Sequence, residues 1–260
     1  MKEKESDLTE KLKSALRKGI PSGDELAKLA LQDYLGAHRN DPAWIKGQFS
    51  DLVEKVQSEL YKKYLTYESP AGAAAFREVF LSMVGKHGTA EDLIQIIGDG
   101  FHDLDRLFLS LTQSRRQRAG AAFEYVIREM FQTLKYPFTP QAVINGKPDF
   151  VLPSIEYYQR NAMDCIIFTV KRTLRERWRQ IVTEGTRGLG FYLATIDKSV
   201  SANALEEMKA SRIHMVVSAQ LKHDVQAYAN ADNVLSFEEF FAHQLDPAME
   251  RWKKRGVVHT

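Results

Sequence analysis

Apolar residues recur every three or four positions along much of the first 134 residues, the spacing that lays a stripe along one side of an α-helix. Asp24–Leu35 carries a short amphipathic stripe. Trp44, Phe49, Leu52, Val53 and Val56 repeat it, and the pattern runs on to Leu60 and Tyr64, with Pro42 near the start where proline is tolerated. A second helix is expected from Gly72 to about Val84, closed by Gly85 and Gly88. Thr89-Ala90-Glu91-Asp92 reads as a capping box opening the next helix, with Asp92 in the place usually held by Glu or Gln. Ser114 to about Leu134 follows, with Ala119, Phe123, Ile127, Met130 and Phe131 on one face.

After Pro137 the period changes. Gln141–Asn145 and Asp149–Leu152 read as a hairpin around Asn145-Gly146-Lys147-Pro148, a turn signal. Asp164–Thr173 is a continuous β-branched and aromatic run, as expected of a buried central strand. Leu174–Gly185 reads as a helix, Leu189–Ile196 as a strand, Ala202–Ala210 as a helix and Ile213–Val217 as another strand. Val234–Phe237 adds a short edge strand, and Phe240 to Lys254 ends in a helix. The layout is a helical N-terminal part over 1–110 and an α/β core over 111–260, built on a mixed sheet flanked by helices.

Composition changes this picture little. The 260 residues are 44% hydrophobic and 27% charged, ordinary for a soluble globular protein, and the net charge of +2 neither requires nor excludes a nucleic-acid partner. The single cysteine, Cys165, rules out an intrachain disulfide and reads as a small buried hydrophobe, in keeping with a reducing cytoplasm. The charged N-terminus has no apolar core of a signal peptide, and no stretch is apolar enough to span a membrane, so no membrane partner is expected. The 7 histidines show no metal-ligand spacing. Gly185-Thr186-Arg187-Gly188-Leu189-Gly190 reads as a turn rather than a phosphate loop, so no nucleotide cofactor is expected.

Candidate chemistry gathers between residues 124 and 184. Pro148-Asp149 opens one strand, Lys171 ends the next, and Glu184 follows on the expected helix, with twelve residues between lysine and glutamate. Adjacent strands can set Asp149 beside Lys171, and the helix can return Glu184 to the same point; Glu124 on the preceding helix is a fourth candidate. Carboxylates suit Mg²⁺, a hard cation that prefers oxygen ligands, and the metal activates water against a phosphodiester. A lysine there adds positive charge near the phosphate and orients or helps deprotonate the water. Arg175-Glu176-Arg177 begins four residues after Lys171. Arginine reads guanine edges bidentately and glutamate accepts from cytosine, so this segment matches adjacent G·C pairs; a solvated, self-paired charge run is the plain alternative.

At these residues the chain resembles the PD-(D/E)XK restriction endonucleases, more narrowly the group of EcoRII, PspGI, SsoII and NgoMIV, whose targets contain CC/GG. The group's Pro-Asp, lysine and displaced second acid match Pro148-Asp149, Lys171 and Glu184. Its R-(E/D)-R segment, which reads the CC:GG pairs, matches Arg175-Glu176-Arg177, and its helical metal-assisting glutamate matches Glu124. The resemblance spans about residues 110–220. One departure is Thr169, two before Lys171, where an ordinary member of the superfamily keeps its second acid.

The resemblance implies a Mg²⁺-dependent type II restriction endonuclease acting on a palindromic CCNGG- or CCWGG-like site in double-stranded DNA and leaving 5′ overhangs. It implies a prokaryotic cytoplasmic enzyme guarded by a cognate DNA methyltransferase; at 260 residues no separate effector domain like that of EcoRII is expected, which favours a plain homodimer. Base flipping in the group makes Trp44, Phe49 and Tyr61 candidates for stacking, although each also fits ordinary helix core. Gln113 is a candidate minor-groove contact, and Arg115, Arg116 and Arg118 candidate phosphate contacts. Three other readings stand beside this one: a repair or junction-resolving nuclease of the same fold, a DNA-binding protein that does not cut, and a structural α/β protein whose matches are incidental.

Overall fold

The computed structural model describes residues 7–144, 146–174 and 190–258. They fall into two compact units. Of these residues, the first comprises 7–30 and 58–122, and the second 31–57, 123–144, 146–174 and 190–258. Residues 31–57, part of the stretch read above as N-terminal, therefore belong with the unit that holds the sheet.

The first unit is helical. It holds α1 (Asp7–Lys18), most of α2 (Gly23–Leu35), the later part of α4 (Phe49–Val84), α5 (Ala90–Asp99) and the earlier part of α6 (Phe101–Thr133). Leu8, Leu12, Ala15 and Leu16 of α1 pack with Ala75, Val79 and Phe80 of α4 and Leu107 of α6. The capping box at α5 forms as expected: Asp92 N–H donates to Thr89 Oγ1 at 3.1 Å and Thr89 N–H to Asp92 Oδ2 at 2.7 Å.

Three expectations need correction. The stripe from Trp44 to Tyr64 is not one helix: α3 (Pro42–Gly47), capped by Asp41, ends at Gln48 and α4 restarts at Phe49. The helix expected from Gly72 is the end of that same α4, which runs through Pro70. A proline inside a helix removes one backbone donor and usually marks a boundary, but here the apolar register continues on both sides, from Leu60 and Tyr64 to Ala71 and Ala75, all buried. Finally, α6 begins at Phe101 rather than Ser114, because Gly100 ends α5 and the chain re-enters a helix at once.

The second unit is built on a mixed sheet. Among the described residues it has β1 (Thr139–Pro140), β2 (Phe150–Leu152), β3 (Ile166–Val170), β4 (Gly190–Ala194), β5 (Ile213–Val217) and β6 (Val234–Ser236), in that spatial order. β1–β2 and β2–β3 are antiparallel; β3 to β6 are parallel. The partner of β2 is Thr139–Pro140 rather than Gln141–Asn145, since Gln141 departs from extended backbone at φ 48°. β3, β4 and β5 occupy the expected positions, and α8 (Ala202–Ala210) has the expected bounds; the helix expected over Leu174–Gly185 lies outside the described residues from Arg175 onward.

Both faces of the sheet are covered, which is why its strands read as continuous apolar runs rather than alternating ones. On one face Val151, Ile167, Leu193, Met215 and Val217 pack with Leu205 and Met208 of α8. On the other, Phe131 of α6 makes edge contacts with Phe150 and Phe168 at 5.6 and 5.4 Å, and Phe240 lies 5.1 Å from Phe168. α7 (Ile155–Asn161), α9 (Ala219–Asp224) and α10 (Gln226–Ala229) were not expected, being seven residues or shorter. The C-terminal helix starts earlier than expected, as α11 (Phe237–Phe240), and continues through a π-helical turn at Phe241–Leu245 into α12 (Asp246–Lys254).

Candidate active site

The antiparallel register of β2 and β3 sets Phe150 opposite Phe168, which places Asp149 opposite Thr169 just beyond the last paired residues. Asp149 is buried, 7% exposed, and its Oδ2 accepts three hydrogen bonds: from Thr169 Oγ1 at 2.8 Å, Val170 N–H at 2.7 Å and Lys171 Nζ at 3.3 Å. A buried carboxylate must be compensated by donors or charge, and here it has both. Thr169 thus occupies the position of the displaced acid and serves the remaining one as a hydroxyl donor.

Lys171 lies at the end of β3, partly exposed, with its main-chain N–H on Ala194 O at 2.9 Å. The chain beyond it is held by β4. Asp197, buried after that strand, accepts Leu174 N–H at 2.8 Å, and Thr195 Oγ1 donates to Arg172 O at 3.4 Å. These bonds fix the start of the segment that leads to Arg175.

Glu124 comes from α6, partly buried. Its Oε1 accepts from Arg128, one turn later, and from Gln141 Nε2 at 3.4 Å. Burial first, and then the negative charge of Asp149, push the Glu124 carboxyl above the usual range, against the pull of Arg128, Gln141 and Lys171. Glu124, Asp149 and Lys171 therefore share one electrostatic neighbourhood. Among the described residues, these donors fall on Asp149 Oδ2 and Glu124 Oε1.

A pair of oxygen donors, one with its pKa raised by burial and by the charge of the other, fits a hard divalent cation, whose charge would relieve that repulsion. Among the described residues no group of three or more His, Cys, Asp or Glu side chains is arranged for a metal. Glu184, the third carboxylate expected, lies outside the described residues, as do Arg175, Glu176 and Arg177.

The remaining candidates scatter. Phe49 is a correction: fully buried, with Phe237 at 5.0 Å and Phe241 at 4.6 Å, its ring has no face left for a flipped base. Trp44 is half-buried and stacks on His38 at 4.2 Å. In the first unit Tyr61 is half-buried, 6.5 Å from Tyr64, and Gln113 is exposed on α6. Arg115 Nε donates to the buried Glu68 at 2.7 Å, and Arg118 lies over the Tyr64 ring at 4.8 Å, so both are engaged internally. Arg116 lies in α6. Cys165 is buried and its thiol is pushed up to about 12 by burial and by Asp164, consistent with an inert hydrophobe.

Residue spacing could not reveal Thr169, Gln141 or Asp197. Thr169 was visible as a departure from the superfamily pattern, but its hydroxyl bond depends on the strand register. Gln141 and Asp197 carry no motif.

An EcoRII C-terminal family profile matches residues 81–241. The type II restriction enzyme SsoII of Shigella sonnei is 33% identical over 164 residues, 58% of this chain and 52% of that protein. EcoRII of Escherichia coli is 32% identical over 140 residues, 50% of this chain and 34% of that protein. The chain thus spans about half the length of the first relative and a third of the second. Metal-depleted Ecl18kI in complex with uncleaved DNA superposes with a TM-score of 0.74 at 23% identity, over 99% of this chain and 88% of that one. The PspGI–substrate DNA complex gives 0.62 at 20%, over 92% and 96%. These two likenesses establish the restriction-endonuclease fold. Because the family profile covers more than half of the sequence, on the stretch that carries Glu124, Asp149 and Lys171, the chain belongs to the EcoRII C-terminal family, alongside the type II restriction enzymes SsoII and EcoRII.

Proposed function

We propose that this protein is a Mg²⁺-dependent type II restriction endonuclease that hydrolyses both strands of DNA at a palindromic CC/GG site, CCNGG- or CCWGG-like, leaving 5′ overhangs. The observation that carries the reading is the Asp149–Lys171 pair with Glu124 in its field, in a chain of this family. Asp149 and Glu124, joined by Glu184, would hold the cation. When bound it supplies charge neutralisation at the scissile phosphate and a more acidic water. Thr169 and Val170 N–H orient Asp149. Lys171 keeps a positive charge beside the phosphate and orients the attacking water.

Arg175, Glu176 and Arg177 would read the CC:GG pairs, from a segment whose first anchor is Leu174 N–H on Asp197. A twofold homodimer suits a palindromic target, each subunit reading one half-site. Cells carrying such an enzyme in the cytoplasm need a methyltransferase that protects the same site.

The test is digestion of unmethylated plasmid and phage DNA with and without Mg²⁺, with sequencing of the fragment ends. Discrete fragments sharing CC…GG at the cut are expected. A smear, or cleavage confined to branched or damaged DNA, moves the activity to repair; binding without cleavage under any divalent metal ends the nuclease reading. Arg175→Ala and Arg177→Ala are each expected to lose about 1–3 kcal/mol of discrimination per base pair. An unchanged cleavage-site profile in both variants would remove the recognition role.

A further inference from the structure

Among the described residues three non-glycine positions hold a left-handed backbone: Lys135 at φ 59°, Gln141 at 48° and Arg212 at 58°. Two have a local reason. Lys135 follows the end of α6, with its N–H on Gln132 O and Tyr136 N–H on Phe131 O. Arg212 follows α8, with its N–H on Lys209 O. Both positions are the customary left-handed exit of a helix.

Gln141 has no helix to close. Its backbone N–H donates across the turn to Asp149 O at 2.9 Å. Glycine is the residue a left-handed turn favours, and glutamine is disfavoured there. Unfavourable backbone conformations concentrate where the side chain is needed. That side chain is exposed and extends to Glu124 Oε1 at 3.4 Å. Gln141 therefore touches Asp149 through its main chain and Glu124 through its side chain.

Among the described residues, the charges facing Glu124 from the surrounding elements are Asp149, Lys171 and Arg128. Arg128 is on the same helix and follows any movement of α6, whereas Gln141 is tied to the strand end that carries Asp149. We propose that Gln141 is a positioning residue that holds the Glu124 carboxylate in register with Asp149, with one oxygen of each engaged, for joint binding of the divalent cation.

This inference rests on the metal-nuclease reading above, and its test separates the two. Mn²⁺ binding to the full chain is titrated by electron paramagnetic resonance for the wild type, Gln141→Gly and Gln141→Asn, with Asp149→Ala as control. Glycine and asparagine both accept the left-handed backbone, but neither reaches Glu124. Loss of one hydrogen bond to a charged group predicts a Mn²⁺ dissociation constant raised about tenfold in both variants. The melting temperature should be unchanged or higher in Gln141→Gly, and the metal concentration for half-maximal cleavage should rise while the saturated rate stays near wild type.

Wild-type affinity for Mn²⁺ in both variants overturns the role of Gln141 and leaves the nuclease reading intact. Weaker binding that only tracks a lowered melting temperature overturns it as well, by making the contact merely structural. If the wild type binds Mn²⁺ no better than Asp149→Ala, the metal-nuclease reading falls and this inference with it.

Discussion

Each unit of the molecule contains a glutamate withdrawn from water on a long helix, and the two are treated in opposite ways. Glu68, in the first unit, is 6% exposed and fully engaged: Tyr64 OH donates to one oxygen and Arg115 Nε to the other. Glu124, in the second, has its donors among the described residues on one oxygen and lies in the field of another carboxylate. The first arrangement is a finished ion pair that holds helices together. The second is unfinished, the kind of local conflict that a binding site retains and a purely structural site removes.

The units also differ in what they hide. The second buries Phe131, Phe150, Phe168, Phe237, Phe240 and Phe241 around its sheet, whereas the first leaves Leu81, Ile94, Phe101, Phe108 and Leu109 more than half exposed.

The largest effect expected from breaking this contrast is chemical. Asp149→Ala should reduce cleavage by about a thousandfold or more, the scale of losing a principal electrostatic element of a site, while DNA binding persists. Cleavage retained by this variant would displace the site.

Next comes the core. Phe131→Ala should cost about 3–5 kcal/mol by urea denaturation, the range for a fully buried aromatic, and Phe101→Ala, at a position 74% exposed, should stay within about 0.5 kcal/mol. Equal losses would show that the apolar side chains of the first unit are as well packed as those of the second.

Smaller still, the two glutamates should respond with opposite signs. Glu68→Gln breaks a pair whose arginine is 42% exposed, so solvent screening reduces the loss to about 1–3 kcal/mol. Glu124→Gln should raise the melting temperature of the metal-free protein. Its carboxyl has a higher pKa folded than unfolded, so the folded chain binds the proton more tightly. The ionised form therefore destabilises the fold increasingly as pH rises above the usual glutamate range, and the penalty vanishes as pH falls below it. The gain from glutamine should be present at neutral pH and absent near pH 4; the reverse trend would show that Arg128, Gln141 and Lys171 outweigh burial and Asp149.

Much of the second unit was legible in the chain because parallel strands covered on both faces are apolar along nearly all their length, as Ile166–Val170 and Ile213–Val217 are but for Thr169 and His214. The long helices were harder. Pro70 resembles a terminator, and only packing on both sides carries α4 through it. At the candidate site, residue type and spacing picked out Asp149, Lys171 and Glu124, and the fold sets these three in one neighbourhood. The donors that shape them did not, because a threonine hydroxyl opposite an aspartate depends on strand register, and the turn at Gln141 depends on a backbone angle that no glutamine advertises.

The pairing of Phe150 with Phe168 has a consequence for quality control. Side chains alternate across a strand, so sliding β2 by one residue would turn Asp149 toward the ring of Phe131 and strip it of Thr169 and Val170. A bare carboxylate among aromatic rings is too unfavourable to persist. Errors of assembly in this hairpin therefore yield inert chains rather than careless cutters, and a cell that makes the nuclease proposed here is spared its misfolded copies.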